Sequence, residues 1–198
     1  MIFDIIRKSK LTTATWKGGT TTQLFIYPKG TEYQKFNFDF RMSYATVEIP
    51  ESTFTFMPGV IRHLMILRGE LELDHTNQYK KTLKKFDQDV FNGEWPTTSK
   101  GMVMDFNLMT RNGFEGKVEA MILAGNEEKL ITFSVDFHYS GVFVLHGVCE
   151  IKLNKECYHL NQGDFILLER TTMEKATIRS FSTPTEVIFA HVKKAVLS

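Results

Sequence analysis

Apolar and polar residues in this chain alternate with a period of two far more often than with the period of a helix. Phe36, Phe38, Phe40, Met42 and Tyr44 alternate with Asn37, Asp39, Arg41 and Ser43, a clear strand signal. Thr53 to Phe56 alternates again and stops at the turn pair Pro58-Gly59. Val60 to Leu67 is almost continuously apolar, as expected of a strand buried on both faces. Gly69 breaks that run, and Leu71 and Leu73 resume the alternation. No stretch of twelve residues carries a helical period, so helix is expected only as short turns near the N-terminus or between Glu94 and Lys100. The pattern predicts an all-β chain.

One predicted strand stands apart. In the run from Val103 to Arg111, Met104, Phe106 and Leu108 fall on one face. Asp105, Asn107 and Arg111 fall on the other, beside Val103 and Met109. An acid, an amide and a guanidinium on a greasy strand are costly to bury without partners. Such a strand either solves a structural problem or grips something polar.

A weak internal repeat organises the rest. Leu67-Arg68-Gly69-Glu70-Leu71-Glu72-Leu73 resembles Leu145-His146-Gly147-Val148-Cys149-Glu150-Ile151, 78 residues on. Leu83 through Asp89-Val90-Phe91 is then matched by Leu160 through Gly163-Asp164-Phe165-Ile166. A strand, a glycine, a strand and a Gly-Asp turn into a further strand resembles the cupin barrel. Two such units imply a bicupin, with small β-barrels or jelly rolls packed side by side. The expected division is residues 1–115, a first barrel with the N-terminal segment, and residues 116–198, a second barrel, in one compact globular unit.

Composition narrows the function. The 198 residues are 42% hydrophobic and 24% charged, ordinary values for a globular protein. A formal charge of +1 argues against nucleic acid and anionic membrane as partners. Lys80-Lys81 and Lys84-Lys85 are local clusters of the kind found on loops or edge strands. Cys149 and Cys157 form neither a disulfide framework nor a zinc motif, and read as buried or half-buried thiols of a cytoplasmic protein. Asp4 interrupts the apolar N-terminus, which reads as neither a signal peptide nor a membrane span.

Catalytic constellations are not evident. A metal-binding cupin site resembles a His-x-His pair, a Glu and a distant His. Around Val60 to Glu70 only His63 is available, and His138 and His146 are eight apart, so no metal or other cofactor is expected. There is no Gly-x-Ser-x-Gly elbow. Gly18-Gly19-Thr20-Thr21-Thr22 lacks the lysine of a phosphate loop and reads as a sharp turn. Arg62, by contrast, interrupts a strand that should be buried. It needs either a carboxylate partner or an anionic ligand. Two readings stay open: a closed Arg62–Asp105 ion pair that sets register, or a polar floor of Arg62, Asp105 and Asn107 that recognises a carboxylate or amide. Arg41 also stays open, facing either solvent or the barrel interior. Trp16, directly before the Gly-Gly turn, is a candidate pocket cap.

These blocks together resemble a known family. Trp16 to Leu24 looks like the N-terminal tryptophan and glycine-threonine signature of the HutD/Ves family. Phe40 to Glu48 resembles its "arginine, small residues, Ala-x-Val-Glu" strand. Phe56 to Arg62 with Leu67 to Glu70 resembles its "Phe-Pro-Gly-x-x-Arg … Leu-x-Gly" segment, and Asp105 to Arg111 its "Asp-x-Asn-x-Met-x-Arg" signature. The resemblance covers residues 16–111; the second half matches only in barrel grammar. It implies a bacterial bicupin, commonly a homodimer, some of whose relatives accompany histidine-degradation enzymes. It also implies a pocket to which Arg62, Asp105, Asn107, Trp16 and Thr20 contribute, with Arg41 as a further candidate. Many relatives have Asn-Gly-Gly-Gly where this chain has Gly18-Gly19-Thr20-Thr21. The function expected is non-catalytic binding of an acidic amino-acid derivative, such as formyl- or formimino-glutamate, in histidine catabolism. The alternative is a cupin hydrolase or isomerase acting on a similar molecule, with Asp105 as general base.

Overall fold

The computed structural model describes residues 2–153, 156–169 and 174–195. The first strand, β1 (Ile2–Ile6), belongs with the second half of the chain. The first unit, Thr12–Gly116, holds β2 (Thr12–Trp16), β3 (Gly19–Tyr27), β4 (Phe40–Val47), β5 (Glu51–Thr53) and β6 (Ile61–Arg68). It continues with β7 (Leu71–His75), β8 (Tyr79–Leu83), β9 (Gln88–Asn92), β10 (Thr97–Lys100) and β11 (Met104–Thr110). They form a six-stranded sheet in the order β2-β3-β4-β11-β6-β9 and a four-stranded sheet in the order β5-β10-β7-β8. Lys80 and Lys81 lie on β8, at a sheet edge, where charge discourages pairing with another chain.

The second unit joins Met1–Leu11 to Lys117–Val196. Its strands are β12 (Phe114–Leu123), β13 (Glu128–Phe133), β14 (Tyr139–His146), β15 (Val148–Leu153), β16 (Glu156–Asn161), β17 (Phe165–Glu169), β18 (Glu174–Ser180) and β19 (Thr185–Lys194). The sheet orders are β1-β17-β14-β19-β12 and β13-β18-β15-β16. The N-terminal segment, expected with residues 1–115, thus pairs instead with β17 of the second unit. Arg7 and the Lys8 backbone fix it there through the Asp164 carboxylate, at 2.8 and 2.9 Å.

The repeat is visible in both units as the same turn. Gly69 joins β6 to β7 with φ +88°, and Gly147 joins β14 to β15 with φ +81°. A Cβ on either would meet a backbone carbonyl oxygen at 2.7 Å, that of Met102 or of Pro184. Only glycine satisfies both the left-handed backbone and that close approach.

The second half of the repeat is displaced from its expected alignment. In the second unit the Gly163 amide donates to Val144 O and the Val144 amide to Asp164 O. In the first unit the Phe86 amide donates to Ile66 O and the Ile66 amide to Asp87 O. The counterpart of Asp164 is therefore Asp87, not Asp89. Both aspartates also accept the amide three residues upstream, Lys84 at 2.9 Å and Asn161 at 3.0 Å. Phe86 occupies the left-handed position, φ +69°, that glycine fills in the second unit, which hid the match.

Other local expectations shift as well. The strand expected from Phe36 starts only at Phe40, because Phe36 is left-handed (φ +51°) after a 3-10 turn at Tyr33–Lys35. The Glu94–Lys100 segment ends in strand β10, and the N-terminal turn is Lys8–Lys10. Cys149 is buried as expected, whereas Cys157 is exposed on β16. Gly69→Ala and Gly147→Ala should each destabilise the chain by about 2 kcal/mol, read as a lower urea midpoint at unchanged slope. Losses within error of zero would mean that these turns relax freely.

Candidate functional site in the first barrel

Register brings the polar residues together. On β11, Met109 lies opposite Arg41 of β4 and Arg62 of β6, and Asn107 lies opposite Ser43 and Leu64. Asp105 lies opposite Ala45 and Ile66, and Arg62 lies opposite Phe91 of β9. Paired residues project from the same face of a sheet, so Arg41, Ser43, Arg62, Asp105 and Asn107 share one face. Leu64, Ile66 and Phe91 on that face join Leu71, Leu73, Leu83 and Val103 in one apolar cluster. Met109 joins Ile26, Phe38, Met57 and Val60 in another. The polar layer is flanked by both clusters and is buried throughout; Arg41 is 6% exposed, Arg62 7% and Asp105 5%.

Arg41 therefore faces inward rather than toward solvent. Its Nε donates to Gln23 Oε1 at 3.0 Å and its Nη1 to Ser43 Oγ at 2.9 Å. Arg62 lies over the Phe54 ring at 4.5 Å and the Phe91 ring at 5.6 Å. Its Nη2 reaches Asn107 Oδ1 at a long 3.5 Å, and its Nε has no hydrogen-bond partner among the described residues. The Asn107 amide nitrogen in turn donates to Asp105. The closed Arg62–Asp105 ion pair is thus not formed; Asn107 stands between the two charges. Among the described residues neither arginine is ion-paired.

The electrostatics follow from this arrangement. Burial pushes the Asp105 carboxyl up to about 7, and Arg62 and Asn107 pull it back only in part. Burial brings Arg41 down to about 10; the Tyr33 phenol opposes that shift and the neighbouring Arg62 charge adds to it. Arg62 is likewise lowered by burial, against the pull of Tyr33 and Asp105. Two cations share the layer with one carboxyl that is only half ionised near neutrality, which leaves the layer positive.

Trp16 and Thr20 are not part of this hydrogen-bonded group. Thr20 pairs with Thr46, one residue out of phase with Asp105, and so projects from the opposite face. The Trp16 ring lies over Gly18 beside Ile49 and is 40% exposed. Arg111 leaves the strand and donates to the carbonyl of Phe36. Four contributors were not singled out as site residues by the sequence: Gln23, Tyr33, Phe54 and Phe91. Tyr33 lies over Arg41 with its ring centroid 4.5 Å from the guanidinium carbon. Gln23 lies in the Trp16–Leu24 block, Phe54 in the Thr53–Phe56 alternation and Phe91 at the end of the first repeat, whereas Tyr33 lies in no pattern.

A second polar network supports Phe91. His75, in ring contact with Phe91 at 4.4 Å, places Nε2 2.9 Å from Asp89 and Nδ1 2.8 Å from Thr97 Oγ1. Tyr79 and Lys81 complete the carboxylate's shell at 3.1 and 3.0 Å. Burial alone would raise Asp89, but hydrogen bonds from Lys81 and His75 outweigh it and hold the carboxyl below its usual range. His63 instead projects from the other face of β6, and burial lowers it to about 4. Among the described residues no three of His, Cys, Asp and Glu gather into a metal-binding group.

The second barrel is an internal control. There β14 pairs with β19 as β6 pairs with β11, and Ser140 lies opposite His191 where Arg62 lies opposite Met109. Phe189 and Val187 take the places of Asn107 and Asp105. The interior around them is apolar, with Val142, Val144, Ile166 and Leu168. Ser140 Oγ is 2.6 Å from His191 Nδ1 and is fully buried.

Two β units that share this turn grammar define a bicupin. The chain belongs to the HutD family, whose model matches residues 8–184. It is similar to the protein Ves of Escherichia fergusonii, 32% identical over 124 residues. That match covers 59% of this chain, which spans about three fifths (61%) of the curated relative's length. A conserved protein of unknown function from Pseudomonas aeruginosa PAO1 is similar in structure, with TM-score 0.84, 18% identity and coverage of 98% and 100% of the two chains. HutD from Pseudomonas fluorescens SBW25 gives 0.73 at 16% identity, over 98% and 100%. The nickel(II)-bound pirin YhhW of Escherichia coli gives 0.68 at 8%, over 98% and 100%. These structural likenesses establish the fold.

The Asp105 carboxyl makes a signed prediction. Below its ordinary pKa of 3.8 it is protonated in both folded and unfolded chains. Between that value and about 7 the unfolded chain releases the proton and the folded chain keeps it, so stability falls as pH rises. The full loss, roughly 4 kcal/mol, is present above that window. Asp105→Asn should therefore gain stability relative to the wild type from pH 4 to pH 8, measured by urea unfolding. A difference that does not change with pH would refute the raised carboxyl.

Proposed function

We propose that the first barrel binds an acidic amino-acid derivative, such as formyl- or formimino-glutamate, without transforming it. The observation that carries this reading is the pair of buried guanidiniums, Arg41 and Arg62, with no ion-paired carboxylate among the described residues. A buried charge of this kind costs several kcal/mol unless compensated, and an anion entering the layer supplies the compensation. Arginine favours a carboxylate because its planar fork donates two parallel hydrogen bonds. Two such forks suit a ligand with more than one anionic or carbonyl oxygen. Asp105, near half protonation at neutral pH, accepts or donates to an amide or formimino nitrogen on the same molecule. Membership of the HutD family supports a place beside histidine breakdown. The same reading has the protein act in the cytoplasm as a homodimer. No helix of the described residues is long and apolar enough to cross a membrane.

Thermal shifts with N-formyl-L-glutamate, formimino-L-glutamate, urocanate and L-glutamate test the reading. At least one acidic derivative should raise the melting temperature progressively once its free concentration exceeds Kd. Arg41→Lys and Arg62→Lys keep the charge but lose the fork, and should each raise Kd by about tenfold or more. Failure of every compound to stabilise the wild type, or undiminished binding by both variants, would remove the site.

A further inference from the structure

The segment over the polar layer is built differently from the strands around it. Between β3 and β4 the chain leaves the sheet at Pro28 and returns at Phe40. Its roots are tied to the barrel: the Asp39 amide donates to Tyr27 O at 2.7 Å and the Arg111 amide to Asp39 O at 2.8 Å. Asn112 adds a bond to the Asp39 carboxylate at 2.7 Å, and the buried Phe38 side chain anchors the same end. The backbone amides from Thr31 to Phe36 bond only locally, while the Phe36 carbonyl accepts from Arg111 at the segment's C-terminal root. The Lys35 amide donates to Glu32 O, the Phe36 amide to Tyr33 O, and the Glu32 amide to the Asn37 side chain. Lys35 also pairs with Glu32 at 2.6 Å.

Thr31–Lys35 is therefore a turn held mostly by its own bonds between two left-handed residues, Gly30 (φ +88°) and the Arg111-tied Phe36 (φ +51°). Tyr33 ties its middle to the barrel. The ring covers Arg41, stacks on Phe38 at 6.3 Å, and its hydroxyl reaches only the sulfur of Met57, at 3.9 Å. A thioether is a weak acceptor, and a cation–π contact is strong only while the cation lacks an anion. The latch is thus held by the same guanidinium that an anionic ligand would engage.

We propose that Thr31–Lys35 is a gate over the first barrel, hinged at Gly30 and Phe36 with Tyr33 its latch, lifting as a unit to admit the anion and closing over it. The proposal rests on the reading that Arg41 and Arg62 bind an anion. Opening and binding are coupled, because a ligand carboxylate competes with the Tyr33 ring for Arg41 on the way in and is buried beneath it once bound.

Met57, fully buried under the Tyr33 hydroxyl, provides the test. In the full chain carrying Met57→Cys with the exposed Cys157→Ser, a thiol reagent should modify the new cysteine faster than global unfolding permits. That rate should be insensitive to sub-denaturing urea, the mark of a local opening. Saturating N-formyl-L-glutamate should slow it about tenfold. Modification only at the global unfolding rate, or no slowing by a probe that does stabilise the protein, overturns the gate. Fast local modification with no probe stabilising the wild type keeps the gate and removes the binding reading instead. Should Met57→Cys fold poorly, trypsin cleavage after the exposed Lys35 of the unaltered chain gives the same comparison: cleavage slowed by a stabilising probe supports the gate, and unslowed cleavage overturns it.

Discussion

Two positive charges held in one dry layer are the constraint on which the first barrel turns. Like charges buried near one another raise each other's cost, and a low local dielectric amplifies the effect. The barrel spreads that cost over neutral groups without cancelling it. Gln23 and Ser43 accept from Arg41, while Phe54 and Phe91 offer ring faces to Arg62. Asn107 matters most, because its carbonyl faces Arg62 while its amide nitrogen satisfies Asp105. An acid and a guanidinium that would otherwise neutralise each other are kept apart by one side chain. Under the proposed function, that separation leaves the guanidinium available to an anion.

The second barrel sharpens that argument. It has the same glycine turn, the same aspartate-capped turn and the same strand pairing, yet Ser140, Phe189 and Val187 stand where Arg62, Asn107 and Asp105 stand in the first. Apart from the buried Ser140–His191 contact, its interior is apolar. The fold is therefore satisfied by an apolar filling, and the polar layer is a local departure from what the architecture needs. Departures of this kind, where local composition works against burial, are expected at functional sites.

Much of this was legible in the chain. Alternation placed Asp105 and Asn107 on one face of β11, and an arginine within a doubly buried strand singled out Arg62. Their relation was not legible, because side-chain contact across strands depends on register. A bulge between Gln23 and Phe25, for example, shifts the β3 pairing beside Arg41. Asp89 was matched to the turn aspartate because Phe86 fills a left-handed position where a glycine was the expected marker. Tyr33 falls outside any pattern: it rides on a 3-10 turn, Tyr33–Lys35, just before the alternation that begins at Phe36.

The layer is held in order by the chain's own contacts. A side chain with five donors and several rotatable bonds normally loses substantial entropy when a ligand fixes it. Here that ordering is already imposed. Arg41 is bonded at two nitrogens, and Arg62 is clasped by two rings, one of them backed by the buried His75–Asp89 pair. The His75 network supports the layer although none of its atoms joins it: His75 packs on Phe91, and Phe91 packs on Arg62. An anion entering such a layer meets donors already desolvated and aimed. Much of the energy of association then appears as affinity, not as reorganisation of the protein.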